Sequence, residues 1–427
     1  MYSYIHDFDE ENNGFKDVDD IKYLSDISKR DVKFDTYKKY TNLVAENYRN
    51  PGVFGKEYER FSGYSRRMLK CANNLTFYQT FQGDYKLMSA YFCKIKYCPM
   101  CQWRKTLLWR ARIARGEPKL IEYLKSCGDN LPEFLFLTLT LKNVKGLDYS
   151  KVKGCIDLQL EGFSKLMAIG RYHRSKPYFD HLGWIRCLEI TKGMGHNNYH
   201  PHIHALVMVK PGFYPKGRNS YSNKLTYQRL SRQLSHTWRK CCHINYNPQV
   251  KLERPRFDEL LDSESLHDKS DDSIIQPFNQ SDLDAVSRGE KDLYDILEYE
   301  SEEVDNSKSS DSFPYGFVGD NKKPSKKNKL WNSFAEITKY SVKGNCVLKS
   351  GARWLLPLTL ATFNTHMIQT GGLFREFFKS AEDRENLIFF DDEENDYFVN
   401  NNNGEKVKRP RVKFSYSEKD KKYLLNC

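Results

Sequence analysis

Three segments rich in β-forming residues, with one helical segment and one turn between them, restrict the fold of this chain more than any other feature. They span residues 134–141, 184–191 and 202–209, and each is bounded by Gly, Asn or Pro. From 148 to 170, apolar residues recur every three or four positions, which predicts a helix with one buried face. Residues 193–199 join the last two strands as a hairpin. This order of elements predicts an α+β fold.

Length and composition exclude several classes of protein. A chain of 427 residues favours two or three compact units, and an aromatic content of 14% argues against disorder through most of it. No segment approaches the roughly 18 uninterrupted apolar residues of a membrane span, and the first residues lack a basic-then-apolar signal pattern. We therefore expect a cytoplasmic protein with no membrane partner and no disulfides. The net charge of +12 favours a polyanionic partner such as nucleic acid.

Changes in composition divide the chain into five segments. From the N-terminus they are an extension of unknown role (1–63), a basic module containing cysteines (64–129), a main α+β domain in two pieces (130–255 and 330–380), an acidic and then lysine-rich insertion (256–329), and a polar and basic tail (381–427). The insertion cannot bury enough apolar surface to offset the entropy of ordering, so we expect it to be flexible. The basic run 406–413 is interpreted either as a phosphate-contacting arm or as a solvated tail.

The strongest chemical signal is the segment His200-Pro201-His202-Ile203-His204. Residues two apart on a strand point to the same face, so His202 and His204 can present ring nitrogens to one metal ion while Ile203 packs into the core. The alternative is a pair of histidines on a half-exposed strand with no ligand.

Glu189 is the candidate for a third metal ligand. It is a lone carboxylate in the otherwise apolar run Leu188-Glu189-Ile190, and such a group is costly to bury unless it is paired, hydrogen-bonded or ligating. If its strand pairs with the histidine strand, Glu189 lies beside the two histidines. Nitrogen and oxygen ligands suit Mg²⁺ or Mn²⁺ acting on a phosphate, although histidines also accept Zn²⁺. A structural salt bridge is the alternative.

A second candidate group is Glu336, Tyr340 and Lys343, which share one face at helical spacing. A phenol acts as a nucleophile when a neighbouring base, cation or metal stabilises its oxyanion. The alternative is a solvated helix face, which is the commoner meaning of this spacing.

The third group consists of four cysteines: Cys71, Cys93, Cys98 and Cys101. A Cys-x₂-Cys pair with two further cysteines upstream can form a tetrahedral thiolate site for structural Zn²⁺. A redox-active Cys-Pro-x-Cys pair and unligated thiols are the alternatives.

A basic and aromatic run follows these cysteines and includes the start of a helix. Its candidate DNA-binding residues are Arg104, Lys105, Arg110 and Arg112.

With these residues identified, the chain resembles the plasmid rolling-circle replication initiators of the one-tyrosine type, which are HUH endonucleases, named for two histidines flanking a hydrophobic residue. The family's three motifs occur in order at 136–143 (beginning Phe-Leu-Thr-Leu-Thr), 200–206 and 339–343 (Lys-Tyr-Ser-Val-Lys). The segments 97–104 and 371–376 are also similar to family motifs.

The resemblance implies a central antiparallel sheet flanked by helices, with the tyrosine helix against the metal-bearing strands. It implies that His202 and His204 bind the metal, that Tyr340 is the nucleophile, and that Glu336 activates water at the end of the cycle. The expected activity is nicking of plasmid origin DNA, single-stranded or in a hairpin, through a 5′-phosphotyrosyl intermediate. The free 3′-hydroxyl then primes a host polymerase, with a host helicase as a further expected partner.

Three other functions stay open at this stage. One is another HUH enzyme, such as a single-strand transposase or a relaxase. The others are a non-catalytic zinc-containing DNA-binding regulator and a Zn²⁺ hydrolase that forms no covalent adduct. Replacement of Tyr340 by Phe separates the initiator from the regulator, because only the initiator loses an activity.

Overall fold

The chain is described by a computed structural model, which covers residues 22–28, 30–49, 57–79, 85–146, 148–168, 180–193, 198–214, 220–255, 330–338, 347, 351–379, 397–399, 406–408 and 411–426. It divides into two compact units, one of Met1–Arg104 with Arg384–Cys427 and one of Lys105–Asp383. The predicted insertion, 256–329, lies outside the described residues.

The described helices and strands are numbered in chain order. The helices are α1 (Leu24–Ile27), α2 (Lys33–Arg49), α3 (Tyr58–Lys70), α4 (Pro99–Ser126), α5 (Tyr149–Ala168), α6 (Ser220–Cys241), α7 (Leu330–Thr338), α8 (Gly351–Ala361) and α9 (Leu373–Phe377), with a 3₁₀ turn at Arg30–Val32. The strands are β1 (Asn74–Gln79), β2 (Tyr85–Ala90), β3 (Glu133–Thr140), β4 (Val144–Lys145), β5 (His181–Lys192), β6 (Asn198–Val209), β7 (Val250–Glu253), β8 (Ile368–Gly372), β9 (Tyr397–Val399), β10 (Lys406–Lys408), β11 (Arg411–Ser417) and β12 (Lys422–Leu425).

The first unit contains a four-stranded antiparallel sheet in the order β12-β11-β1-β2. Aromatic residues pack in the core of this unit. Phe34 of α2 makes edge-to-face contacts with Phe77, Trp103 and Tyr423. Residues near the C-terminus therefore complete a sheet with residues near position 75. Strands β9 and β10 pair with each other in a separate two-stranded sheet.

The second unit contains a six-stranded antiparallel sheet in the order β7-β3-β6-β5-β8, with β4 pairing with β6. The predicted strands and the predicted helix from 148 are confirmed as β3, β5, β6 and α5. Antiparallel pairing of β5 with β6 agrees with the predicted hairpin, although the turn residues 194–197 lie outside the described range.

The two faces of this sheet carry different helices. On one face, residues of β3, β5 and β6 form an apolar cluster with α4, α7 and α9 that includes Phe136, Cys187, Leu206 and Phe334. On the other face, Phe163 of α5 contacts Trp184, and α8 packs on α5. The unit is thus an antiparallel sheet between two helical layers, as the α+β prediction requires. In the described part of the chain no helix is long and apolar enough to cross a membrane.

Candidate metal centre and active site

Strand pairing brings Glu189 beside the two histidines, at the centre of the six-stranded sheet. On β5, Glu189 is the direct neighbour of His202 on β6, and on β3, Thr140 and Thr138 are the neighbours of His202 and His204. Directly opposed residues of antiparallel strands share a face, and so do residues two apart on one strand. All five side chains therefore belong to the face that carries α4, α7 and α9.

The three candidate ligands converge on a small volume. One Glu189 carboxylate oxygen, Oε2, lies 3.2 Å from His202 Nε2 and 3.1 Å from His204 Nε2. The side chains of Glu189 and His202 are each 9% exposed, and that of His204 is 12% exposed. The three side chains are therefore largely shielded from solvent.

The second ring nitrogen of each histidine determines what the first can bind. His202 Nδ1 lies 3.1 Å from the carbonyl oxygen of His200, and because a carbonyl only accepts, Nδ1 must carry the hydrogen. His204 Nδ1 lies 3.1 Å from the Thr138 hydroxyl, which can accept in the same way. Both neutral rings then direct an Nε2 lone pair at the Glu189 carboxylate. Three acceptors that face one another need a shared cation, either a proton or a metal ion.

The electrostatics of Glu189 favour its charged form. Where the shared cation is a proton, the histidine rings are charged and donate to Glu189. Burial raises the pKa of this carboxyl, but hydrogen bonds from His202 and His204 and their positive charges outweigh burial and hold the pKa well below its usual range. An ionised carboxylate with two imidazole nitrogens is a donor set that fits Mg²⁺, Mn²⁺ or Zn²⁺. This group can therefore hold a metal ion.

His200 lies at the edge of this group. Its Nδ1 is 2.6 Å from the Asn143 side-chain oxygen, and its ring centre is 5.0 Å from that of His202. Burial, followed by the charge of His202, lowers the pKa of His200, and Glu189 opposes the shift. Asn143 and Thr138 both lie in the first motif segment, but the sequence analysis did not predict that either of them contacts a histidine. The polar side chains of Thr138 and Thr140, at alternating positions on an apolar strand, were the available signal.

The helix that leads toward Tyr340 packs on the same face of the sheet. Phe334 and Ile337 of α7 are buried in the cluster with Cys187 and Leu206, next to the histidines on β5 and β6. Glu336 on this helix raises the pKa of Cys187, after the larger effects of burial and Glu189. Its charge therefore acts at the strand position directly opposite His204. Tyr340 and Lys343 lie outside the described residues.

Comparison with known proteins identifies the family to which this chain belongs. A family model described as "Replication protein" matches residues 84–275. A "Protein rep" of Bacillus sp is 31% identical over 55% of this chain and 71% of that protein. The chain belongs to the Rep family of replication proteins. This membership confirms the resemblance to plasmid rolling-circle replication initiators.

Other Rep proteins match in the same way. A "Protein rep" of Bacillus amyloliquefaciens is 32% identical over 56% of this chain, and the match spans 63% of that protein, which is less than two thirds of its length. A "Protein rep" of Staphylococcus aureus is 28% identical over 56% of this chain and 95% of that protein. No solved structure matches the chain significantly. The segment matched by the family model contains the histidine strand and ends before Glu336 and Tyr340.

In this Rep chain the four predicted cysteines also come together. Cys71 follows α3, Cys93 follows β2, Cys98 directly precedes α4, and Cys101 lies in its first turn. Their sulfur atoms all lie within 4.8 Å of one another, so this group can also hold a metal ion. Burial, hydrogen bonds and the neighbouring thiols act on these cysteines together, and the pKa of Cys98 is held well below its usual range.

The four basic candidates of the Rep chain have different surroundings on α4. Arg104 lies over the rings of Phe34, Phe92 and Trp103, and Arg112 lies over Trp109. Lys105 is exposed, and its charge lowers the pKa of Cys187, against the larger effect of burial. Arg110 is half-buried. Lys105 is thus an exposed cation whose charge acts at the histidine face.

Proposed function

We propose that this Rep protein is a metal-dependent tyrosine endonuclease of the HUH type, which initiates rolling-circle replication by nicking one strand of plasmid origin DNA. The observation that carries the proposal is the convergence of Glu189, His202 and His204 on the sheet face against which α7 packs. A metal-ligand group and the helix leading to a candidate nucleophile are both expected of such an enzyme.

Glu189, His202 and His204 are the residues that would hold Mg²⁺ or Mn²⁺. When bound, the ion would neutralise charge on a non-bridging oxygen of the scissile phosphate. The protein's own contribution is to fix the ligands. The carbonyl of His200 and the hydroxyl of Thr138 hold the two rings with their Nε2 atoms directed at Glu189.

The chemical step assigned to Tyr340 is an in-line displacement at phosphorus. Its phenolic oxygen forms a bond to the phosphorus while the bond to the 3′-oxygen breaks. The phenolic proton passes to water, and the departing oxygen takes a proton from water to become a 3′-hydroxyl. The products are a 5′-phosphotyrosyl protein and a primer for a host polymerase, with a host helicase to separate the strands. Lys343 would stabilise the phenolate.

Glu336 is assigned to the end of the cycle. A carboxylate that takes a proton from water generates a nucleophile that releases the DNA strand from Tyr340. Its position on α7, whose buried side packs over β5 and β6, supports this role. Arg104, Lys105, Arg110 and Arg112 would contact DNA phosphates.

The experiment is to incubate the full chain with Mn²⁺ and single-stranded origin DNA and to look for a conjugate that survives denaturation. We expect Tyr340 to be the attachment residue, Tyr340→Phe to bind DNA without nicking it, and Tyr149→Phe, an exposed tyrosine on α5, to behave as wild type. Cleavage without an adduct would instead support a hydrolase. Unchanged behaviour of Tyr340→Phe would support a non-catalytic regulator, and attachment at another tyrosine would overturn the assignment.

A further inference from the structure

Three distances between the four cysteine sulfurs match the edges of a tetrahedron around one ion. The Sγ atoms of Cys71 and Cys101 are 3.6 Å apart, those of Cys93 and Cys101 are 3.5 Å apart, and those of Cys71 and Cys98 are 3.7 Å apart. Zinc–sulfur bonds of about 2.3 Å in a tetrahedron place the sulfurs about 3.8 Å apart. A disulfide needs about 2.05 Å, so the group is not arranged as two disulfides.

Lys38 is buried beside this group. The residue is 0% exposed, and its Nζ donates to the carbonyl oxygens of Leu69 (2.7 Å) and Cys71 (3.0 Å). Among the described residues it forms no ion pair with a carboxylate; Glu418 acts on it electrostatically, as do Cys71, Cys98 and Cys93. Burying an ammonium group without a partner anion is strongly unfavourable, so the position of Lys38 calls for a negative charge nearby.

The charges of the two features are complementary. One Zn²⁺ with four thiolates carries a net charge of −2, which is also unfavourable to bury alone. We propose that Cys71, Cys93, Cys98 and Cys101 bind one Zn²⁺ as a tetrathiolate, and that Lys38 is the buried counter-ion of that site.

Two further contacts support an anionic sulfur cluster. The backbone N–H of Cys93 donates to Cys71 Sγ over 3.4 Å, as expected where a sulfur carries charge. Cys98 directly precedes α4, and Pro99 occupies the first helical position, so the positive end of a long helix faces the cluster.

The site would connect segments that are far apart in the sequence. Lys38 comes from α2, Cys71 from the end of α3, and Cys98 and Cys101 from the start of α4. Thr41 of α2 adds a second link, since its hydroxyl lies 3.6 Å from Cys98 Sγ and accepts from the N–H of Met100. Bound zinc would therefore stabilise the first unit as a whole. Helix α2, whose role the sequence left open, would form part of the zinc site.

The first test measures metal content of the full chain by mass spectrometry after dialysis against a mild chelator. We expect one zinc per chain in wild type and in His202→Ala, which removes the other candidate metal centre. Cys101→Ser should lose the zinc, whereas Cys155→Ser, a cysteine of the second unit, should keep it. Iron in place of zinc, or no metal, would overturn the proposal and would leave the nicking proposal intact.

The second test isolates the charge of Lys38, using Lys38→Met and, as a matched control, Lys39→Met at the exposed neighbouring position. Lys38→Met should release zinc to a chromophoric chelator at least about tenfold faster, and Lys39→Met should not. With Co²⁺ in place of zinc, the thiolate-to-metal absorption band should move to longer wavelength in Lys38→Met alone, because the thiolates lose a stabilising positive charge. A purely structural role of Lys38 leaves that band in place, and this result would exclude the counter-ion role.

Discussion

One hydroxyl group on β3 holds a histidine ring of the candidate metal centre. Thr138 and Thr140 are neighbours on the same face of β3, and each is opposed to a histidine of β6. Their hydroxyls nevertheless have different partners. The Thr138 hydroxyl lies against His204 Nδ1, whereas the Thr140 hydroxyl donates to the carbonyl oxygen of Gln249. The two threonines can therefore be compared directly: the Thr138 hydroxyl orients a histidine ring, whereas the Thr140 hydroxyl bonds to the backbone.

We predict that Thr138→Val lowers the affinity of the Glu189 site for Mn²⁺ by about 10- to 100-fold, because His204 loses the partner that fixes its tautomer and ring orientation. Thr140→Val should change metal affinity far less, although it loses one hydrogen bond. Titration calorimetry with Mn²⁺ measures both variants. Equal effects of the two substitutions would show that Thr138 does not orient a metal ligand.

A second residue-scale prediction concerns Asp35, whose Oδ1 accepts from the N–H of Tyr423 over 2.8 Å. Burial raises the pKa of Asp35 to about 6 from 3.8, against the opposing effects of that hydrogen bond and of Lys422. Between these two pKa values the folded state holds a proton on Asp35 that the unfolded state has released. The contribution of protonated Asp35 to stability is complete below the unfolded pKa and is lost as the pH rises through about 6.

Asp35→Asn should consequently raise the free energy of unfolding at pH 7 by up to about 3 kcal/mol, since Asn keeps the acceptor for Tyr423 and carries no charge. The gain should shrink as the pH falls toward 4. Urea unfolding between pH 4 and 8 measures it, with the exposed Asp129→Asn as the control. A gain that is the same at every pH would contradict a raised pKa.

At the scale of elements, two glycines let β8 and α9 fit closely against β5. A Cβ atom on Gly371 would lie 2.4 Å from the ring of Trp184, and one on Gly372 would lie 2.3 Å from the carbonyl oxygen of Leu182. Gly372 also has φ +57°, a conformation that favours glycine. These contacts give a physical reason for the Gly-Gly-Leu-Phe segment. They seat α9, whose Phe374 contacts Phe334 of α7.

We predict that Gly371→Ala destabilises the second unit by about 1–3 kcal/mol, because the Trp184 ring must move to admit the methyl group. Gly154→Ala is the matched control. No atom lies within 4 Å of its added Cβ on the exposed side of α5, so it should be neutral or stabilising by up to about 1 kcal/mol. Thermal unfolding of the two variants tests the contrast, and an unperturbed Gly371→Ala would contradict the close packing.

The elements of the second unit were predictable from the sequence because their signals are local. Runs of β-forming residues bounded by Gly, Asn or Pro identified β3, β5 and β6, and the helical period identified α5. A lone carboxylate beside a hairpin was enough to place Glu189 next to His202. The hydroxyl of Thr138 was not identified as a partner of His204, because its relevance depends on the register of β3 against β6.

The first unit was harder to predict, because its contacts join distant parts of the sequence. Register pairs Asn74 with Ser415, and Asp35 binds Tyr423 across 388 positions. The tail pattern allowed an arm or a solvated segment, but residues 411–425 form β11 and β12. Lys38 was not singled out, because a lysine in an amphipathic helix is expected to be exposed. A local sequence pattern cannot predict pairing between residues so far apart in the chain.

At the scale of the whole molecule, the effect of the net charge of +12 on DNA binding depends on the positions of the cations. Lys105 is exposed and acts electrostatically on Cys187, on the histidine face of the sheet. Lys151 is an exposed lysine of α5, which packs on the opposite face. If DNA binds over the histidines, only the first of these cations contacts it, and the salt dependence of binding separates the two.

Binding of single-stranded origin DNA should therefore be measured as a function of salt, in the Tyr340→Phe background so that no covalent product forms. Each phosphate contact contributes about −0.7 to the slope of log affinity against log salt, because neutralising a phosphate releases counterions. We predict that Lys105→Ala makes the slope less negative by about 0.7 and that Lys151→Ala leaves it unchanged. Fluorescence anisotropy between low and moderate salt provides the slopes. The same slope for Lys105→Ala and wild type would remove Lys105 from the DNA path, and a changed slope for Lys151→Ala alone would move that path to the other face of the sheet.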